Sequence, residues 1–342
     1  IQIAREEAAK AKALAAQCIN PILHRDQERQ KRADAVAKAV TFSEAAERFL
    51  SAHEASWRND KHRDQWRNTL ATYVEPVFGK VDVAAVTVDH VLKVIEPIWQ
   101  TKTETASRVR SRIERILDWA KARGLRSAEN PARWHGHLKF TLPRQSDLKK
   151  VKHHAALPYA DMPAFMKRLR ACDGIGARAL EFTILTAART GETVGARWRE
   201  IDVDKRVWLT TAERMKAKRA HRVPLTKAAL AVLKSLRLDR GDDDFVFPGL
   251  DMKKALSTAT MAKTLTTLRD DCTVHGFRSS FREWVSESTN FDRPTAEAAL
   301  AHVIGDKVEA AYRRGDLFGK RREMMEAWSQ YCSVAARVSK RK

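Results

Sequence analysis

The chain has 342 residues, with 64 Lys and Arg against 43 Asp and Glu and a formal net charge of +21 at pH 7. That length exceeds what one core usually supports and points to two domains or three small ones. The positive excess runs along the whole chain and fits a protein that wraps an extended polyanion, because each phosphate neutralised by Lys or Arg releases condensed counterions. Cys18, Cys172, Cys272 and Cys332 lack CxxC spacing, which argues against a disulfide framework or a zinc ribbon. No apolar run approaches the roughly 18 residues of a membrane span, and no signal peptide opens the chain.

Residues 4–17 are alanine-rich with interspersed Arg, Glu and Lys, strong helix formers that predict a solvated helix. Pro21 disfavours the helical conformation at the residue before it and ends that helix. A charged stretch to Lys38 then reads as a part-helical linker. The first residue is Ile1 and not Met, so a processed product or a fragment missing something upstream is expected. Thr41-Phe42-Ser43-Glu44 offers a capping box, with Thr41 or Ser43 accepting from free backbone N–H groups and Glu44 in the first turn. Helical periodicity follows through Ala45, Phe49 and Leu50, then Trp66, Leu70 and Tyr73, then Val88, Val91, Leu92 and Ile95. A fourth stretch carries Val109, Ile113, Ile116, Leu117 and Trp119. Gly124, Asn130 and Pro131 close this helical bundle.

Between Pro143 and Pro158 the apolar periodicity fades and Lys149, Lys150, Lys152, His153 and His154 cluster. An interdomain linker is expected there, its lysines able to touch phosphates. From Tyr159 the pattern is helical again, interrupted by three short strands at 201–203, 207–211 and 221–225, with 214–220 as an exposed turn region. Helices are expected at 227–236, 261–272, 277–288, 295–301, 307–313 and 324–338. The fold class read from this is mainly α with a small antiparallel β-sheet, an α+β arrangement. Its segments are a remnant helix with linker (1–38), a helical domain (39–140), a linker (141–157) and a second domain (158–342).

Several residues form a chemical set. Thr186-Ala187-Ala188-Arg189-Thr190-Gly191-Glu192 carries an arginine; far downstream stand His275-Gly276-Phe277-Arg278, Ala301-His302, and Tyr312 within Glu309-Ala310-Ala311-Tyr312-Arg313-Arg314. Two guanidinium groups, two imidazoles and a phenol are the parts that hold a phosphodiester and attack it. His275 precedes Arg278 by three residues, which on a helix puts both on one face. Taken singly each is ordinary: most such arginines make surface ion pairs, and most helical tyrosines pack.

In this order and with these flanks, the residues resemble the tyrosine recombinases, the phage-integrase type of DNA strand transferase, in the branch related to the integrase of satellite phage P4. The resemblance implies a core-type DNA-binding domain at 39–140 and a catalytic domain from 158. It implies site-specific recombination through a 3′-phosphotyrosine and a free 5′-hydroxyl, with no metal, ATP or other cofactor. Carried onto this chain, Arg189 and Arg278 hold the nonbridging oxygens and His275 accepts the phenolic proton. Lys216, after Met215 on the hairpin, protonates the 5′-oxygen; His302 donates to the phosphate; Tyr312 is the nucleophile; Glu192 supports the first arginine. Also implied are duplex attachment-site DNA, a homotetramer exchanging strands through a Holliday junction, an excisionase and a DNA-bending host protein as accessory partners, and a cytoplasmic, nucleoid-associated location.

The opening helix resembles the last helix of the small arm-binding domain of those integrases. Ala301 stands where the family usually has glycine. Met324, Met325, Trp328 and Tyr331 offer an apolar face either to a neighbouring protomer or to their own domain. Two other readings share these parts. A type IB topoisomerase uses a similar residue set as a monomer, and a catalytically silent DNA-binding regulator would retain the fold. The flanks of Arg189 and Tyr312 argue against the first, and the complete set of six against the second.

Overall fold

Two separate apolar cores organise the backbone, one in each of the units Ile1–Val151 and Lys152–Lys342. The computed structural model describes residues 2–17, 19–27, 39–55, 57, 60–148, 155–215, 217–236, 240–302 and 315–333. Lys149, Lys150, Lys152, Lys216 and Tyr312 lie outside the described residues, as do the helix expected at 307–313 and the end of the one expected at 324–338.

In the first unit α1 (Gln2–Ala16) is followed directly by a second helical stretch at 21–27. Pro21 therefore begins a helix as well as following one. Its missing N–H is one a first-turn residue would leave unpaired anyway, and the Asn20 side chain accepts from the backbone N–H groups of Ile22 (3.0 Å) and Leu23 (3.3 Å). The bundle consists of α2 (Phe42–Glu54), α3 (Asp60–Tyr73), α4 (Val88–Trp99) and α5 (Thr103–Ala122). Thr41 supplies the cap of α2: its hydroxyl accepts from Glu44 N, and the Glu44 carboxylate accepts from Thr41 N at 2.9 Å. Phe42, Phe49, Leu50, Trp66, Leu70, Val91, Ile95, Ile113, Ile116 and Leu117 are all buried here. Arg126 is buried too, and its guanidinium donates to the carbonyls of Val83 (2.9 Å), Val86 (2.8 Å) and Glu129 (2.9 Å), closing the loop after α5 onto the bundle.

The second unit is built around α7 (Ile175–Thr186), ten of whose twelve residues are buried. A helix buried on nearly every side must be central. Around it lie α6 (Met162–Arg170), α8 (Thr190–Val194), α9 (Lys227–Leu236), α10 (Thr258–Leu268), α11 (Gly276–Ser288), α12 (Arg293–Ala299) and α13 (Phe318–Tyr331). Three antiparallel strands, β1 (Ile201–Asp202), β2 (Val207–Thr210) and β3 (His221–Pro224), pair in sequence order, with Thr210 opposite His221 at the turn end of the hairpin. The architecture is mainly helical with one small sheet. The helix expected at 261–272 begins earlier because the Ser257 hydroxyl caps it at Ala259 N (3.2 Å), and it stops at Leu268.

One alternative is decided and one expectation is corrected. The apolar face of α13 belongs to its own unit: Met324, Met325 and Trp328 are fully buried, Trp328 Nε1 donates to the Ile184 carbonyl (2.9 Å), and the Tyr331 hydroxyl donates to the Tyr159 carbonyl (3.2 Å). The turn region after β2 is also not exposed throughout. Met215 is buried, and Arg214 turns inward to donate to Glu200 and to the Glu192 carbonyl.

Candidate active site

Arg189 and Arg278 meet at the ends of two helices. Helix α7 stops at Ala187, which adopts a left-handed conformation (φ 50°), and α12 stops at Leu300-Ala301, with Ala301 also left-handed (φ 48°). This reversal lets the chain leave a helix while its last carbonyls face away from the helical ladder. At α12 the closure is complete: Ala301 N donates to Ala298 O (3.2 Å) and His302 N to Glu297 O (3.0 Å). Glycine is the usual residue at such a position, since a Cβ there costs roughly 1 kcal/mol; here alanine serves at both ends.

The freed carbonyls hold the guanidiniums. Arg278 donates through Nη1 to Ala187 O and through Nη2 to Leu300 O (2.6 Å), and Arg189 Nη2 donates to the next carbonyl, Ala301 O (3.2 Å). Both helix C-termini carry partial negative charge, which favours cations there. Arg189 heads α8, where Glu192 accepts from its backbone N–H (2.9 Å) and from its Nη1 (2.7 Å). Glu192 is itself buried, so this carboxylate fixes Arg189 in place. Arg278 is 6 % exposed. Burial first, and the positive charge of Arg189 second, push its pKa down to about 10.

His302 follows the α12 closure. Its Nε2 lies 3.2 Å from Arg278 Nη2 and its Nδ1 2.6 Å from Glu297 Oε2, and Glu297 also accepts from Arg282 Nε (2.9 Å). Burial raises the Glu297 pKa, but hydrogen bonds from His302 and Arg282 outweigh it and the net shift is downward. His275 precedes the first turn of α11 and is exposed, whereas Arg278 one turn later points into the unit. Gly276 between them allows a close approach: a Cβ there would stand 2.1 Å from the Ala155 carbonyl oxygen. That strand of backbone is fastened to α11 by Thr273 N to Ala155 O (2.9 Å) and by the Ser280 hydroxyl to Leu157 O.

Arg189, Arg278, His302 and Glu192 are thus brought into one cluster, and His275 stands at the head of the helix that carries Arg278. Sequence reasoning missed four residues of this region. Glu297 and Arg282 bear on His302. Arg214, through Glu200 and the Glu192 carbonyl, ties the loop after β2 to α8. His221 opens β3 and is mostly buried; burial first, and the charge of Arg321 second, lower its pKa to about 4. The spacing of Glu297 five residues before His302 was a signal in plain view, but only the closure after α12 folds those two side chains together.

The phage integrase central domain matches residues 42–137, and the phage integrase family matches residues 157–316. The prophage integrase IntZ of Escherichia coli strain K12 is 31 % identical over 330 residues, 95 % of this chain and 79 % of that protein. The chain belongs to the phage integrase family of tyrosine recombinases. The integrase of Enterobacteria phage P4 is similar at 30 % identity over 97 % of this chain and 77 % of its own length. Among solved structures, a lambda integrase dimer bound to a COC′ core site shares the fold at TM-score 0.61, with 15 % identity over 84 % of this chain and 81 % of that one. A lambda integrase tetramer bound to a Holliday junction gives TM-score 0.61 at 14 % identity over 79 % of this chain and 80 % of that one. Among the described residues of this integrase-family chain, no helix is long and apolar enough to cross a membrane.

Proposed function

We propose that this integrase-family chain is a site-specific DNA recombinase of prophage type that cuts and rejoins duplex attachment sites through a 3′-phosphotyrosine. The Tyr312 phenolate attacks the scissile phosphorus in line while the bond to the 5′-oxygen breaks. The phenolic proton passes to His275 and the leaving oxygen takes one from Lys216. Arg189 and Arg278 bear on the nonbridging oxygens with N–H groups their carbonyl partners leave over, since each guanidinium has five. His302 adds a further donor, and Glu192 keeps Arg189 in register. The phosphodiester energy is stored in the tyrosine ester, so rejoining is attack by a 5′-hydroxyl on that ester. Four copies acting on a Holliday junction are part of the same proposal, in line with the lambda tetramer.

The observation that carries this reading is the convergence of Arg189 and Arg278, far apart in sequence, onto the consecutive carbonyls of Ala301 and Leu300 at the end of α12, with His302 Nε2 against Arg278. The test is incubation with nicked suicide duplexes carrying candidate attachment sequences, without metal or ATP. A denaturation-resistant protein–DNA adduct mapping to Tyr312 and absent in Tyr312→Phe is expected. Tight binding with no adduct would favour a silent DNA-binding regulator instead.

A further inference from the structure

We infer that Glu297 is a positioning residue that locks His302 in one tautomer and so decides which ring nitrogen meets the scissile phosphate. The inference rests on the phosphate-binding role proposed for His302. It starts from the one-way chemistry of the two groups that flank the ring. An arginine can only donate, and an ionised carboxylate can only accept. With Arg278 Nη2 at 3.2 Å from Nε2 and Glu297 Oε2 at 2.6 Å from Nδ1, the resting imidazole must carry its proton on Nδ1 and accept at Nε2. The opposite tautomer would set N–H against N–H on one side and a lone pair against a carboxylate on the other.

Glu297 is held in turn. Its second oxygen accepts from Arg282 Nε at 2.9 Å, and both residues are only about a quarter exposed. The hydrogen bonds from His302 and Arg282 favour the ionised carboxylate. Among the described residues Glu297 is the carboxylate bonded to Nδ1, while Arg189 and Glu192 act on Arg278, the group at the other ring nitrogen. Arg282 sits one turn after Arg278 on α11, which makes that helix the source of a contact at each end of the chain Arg282–Glu297–His302–Arg278.

When a phosphodiester enters, Arg278 turns its N–H groups to the phosphate and releases Nε2. The ring then takes a proton from solvent at Nε2 and donates it to a phosphate oxygen. The Nδ1–H stays on Glu297, which offsets the positive charge formed, as a carboxylate does behind a catalytic imidazole. Without Glu297 the ring can rotate or change tautomer, and Nε2 is no longer reserved for the phosphate.

The protein labelled with 15N-histidine provides the readout, with His302→Gln used to assign the ring signals. At about pH 8, where an ordinary imidazole is neutral, the protonated-type shift is expected on Nδ1. In Glu297→Gln the amide oxygen stays with Arg282 and its NH2 faces Nδ1, so the proton is expected to move to Nε2. Covalent adduct formation should then fall about 10- to 100-fold, with DNA affinity within about twofold of the parent. A parent protein with the proton on Nε2, or with the two tautomers in exchange, overturns the inference without any variant. So does a Glu297→Gln protein that keeps Nδ1–H and cleaves at the parent rate. An Nδ1–H ring in a parent that never forms an adduct would leave the assignment of the tautomer standing and defeat the strand-transfer reading instead.

Discussion

Replacing Gly276 by alanine should cost the second unit several kcal/mol although it adds one methyl group. The new Cβ would lie 2.1 Å from Ala155 O, 2.8 Å from Ala156 Cα and 2.9 Å from Ala155 C, all of them backbone atoms that no rotamer change can move aside. To reach even the shortest separation that real Cβ atoms show, the carbonyl must retreat by roughly 1 Å. It currently accepts from Thr273 N at 2.9 Å and from the Thr273 hydroxyl at 3.3 Å, and such a shift breaks both bonds. Overpacking costs about 1–3 kcal/mol and each of the two lost hydrogen bonds about 0.5–1.5 kcal/mol, which together give roughly 2–6 kcal/mol. For a unit of this size that is a fall in melting temperature of roughly 4–24 °C, readable by scanning calorimetry on the full chain. Gly191→Ala is the control: a Cβ there meets nothing within 4 Å, and in a helix alanine should be neutral or better by up to about 1 kcal/mol. If Gly276→Ala melts within about 1 °C of the parent, the close approach of residues 155–157 to α11 is not what fixes this glycine.

Further outcomes follow from the same region. Ala301→Gly removes a left-handed alanine, and after allowing for the looser unfolded chain it should stabilise by about 0.5–1 kcal/mol in urea titrations. His221 has its pKa lowered from 6.5 to about 4, so the unfolded chain binds the proton first as pH falls. The stability tied to its neutral form is complete above pH 6.5 and is lost as pH falls toward 4, about 2 kcal/mol of it by pH 5; His221→Gln should flatten that part of the urea-midpoint profile. Arg278→Lys offers one compact ammonium where two carbonyls and an imidazole are bonded by a fork, so adduct formation should drop by about 100- to 1000-fold while DNA binding persists.

Local patterns were legible where a short stretch decides the outcome. The capping box at Thr41 and Glu44, the four helical faces of the bundle and the three strands could be read directly, because each depends on residues within a few positions of one another. The order of Arg189, His275, Arg278 and His302 was legible through family resemblance. What stayed hidden depends on distant chain segments. Nothing near Arg214 announces that it will bury itself against Glu200 and the Glu192 carbonyl. The apolar residues of α13 look the same in sequence whether they meet another protomer or Ile184. Pro21 was read as a stop when Asn20 made it a start as well, and a proline at a helix boundary serves either end. The glycine of the His-Gly-Phe-Arg motif could be seen but not explained until residues 155–157 were found lying across it.

Arg278 is gripped by the carbonyls of Ala187 and Leu300, and among the described residues no carboxylate bonds to it. Carbonyls are neutral, so they fix its direction without cancelling its charge. The protein therefore carries in this unit a positive charge that water barely reaches and that no described carboxylate bonds, a setting that suits a small oxoanion. Sulfate or phosphate from a buffer should settle there and raise the melting temperature through occupancy of this one site, to a degree set by the anion's shape and not by ionic strength alone. The identity of the buffer thus becomes a variable in every stability and cleavage measurement, because a salt that protects the fold would do so by standing where DNA must enter.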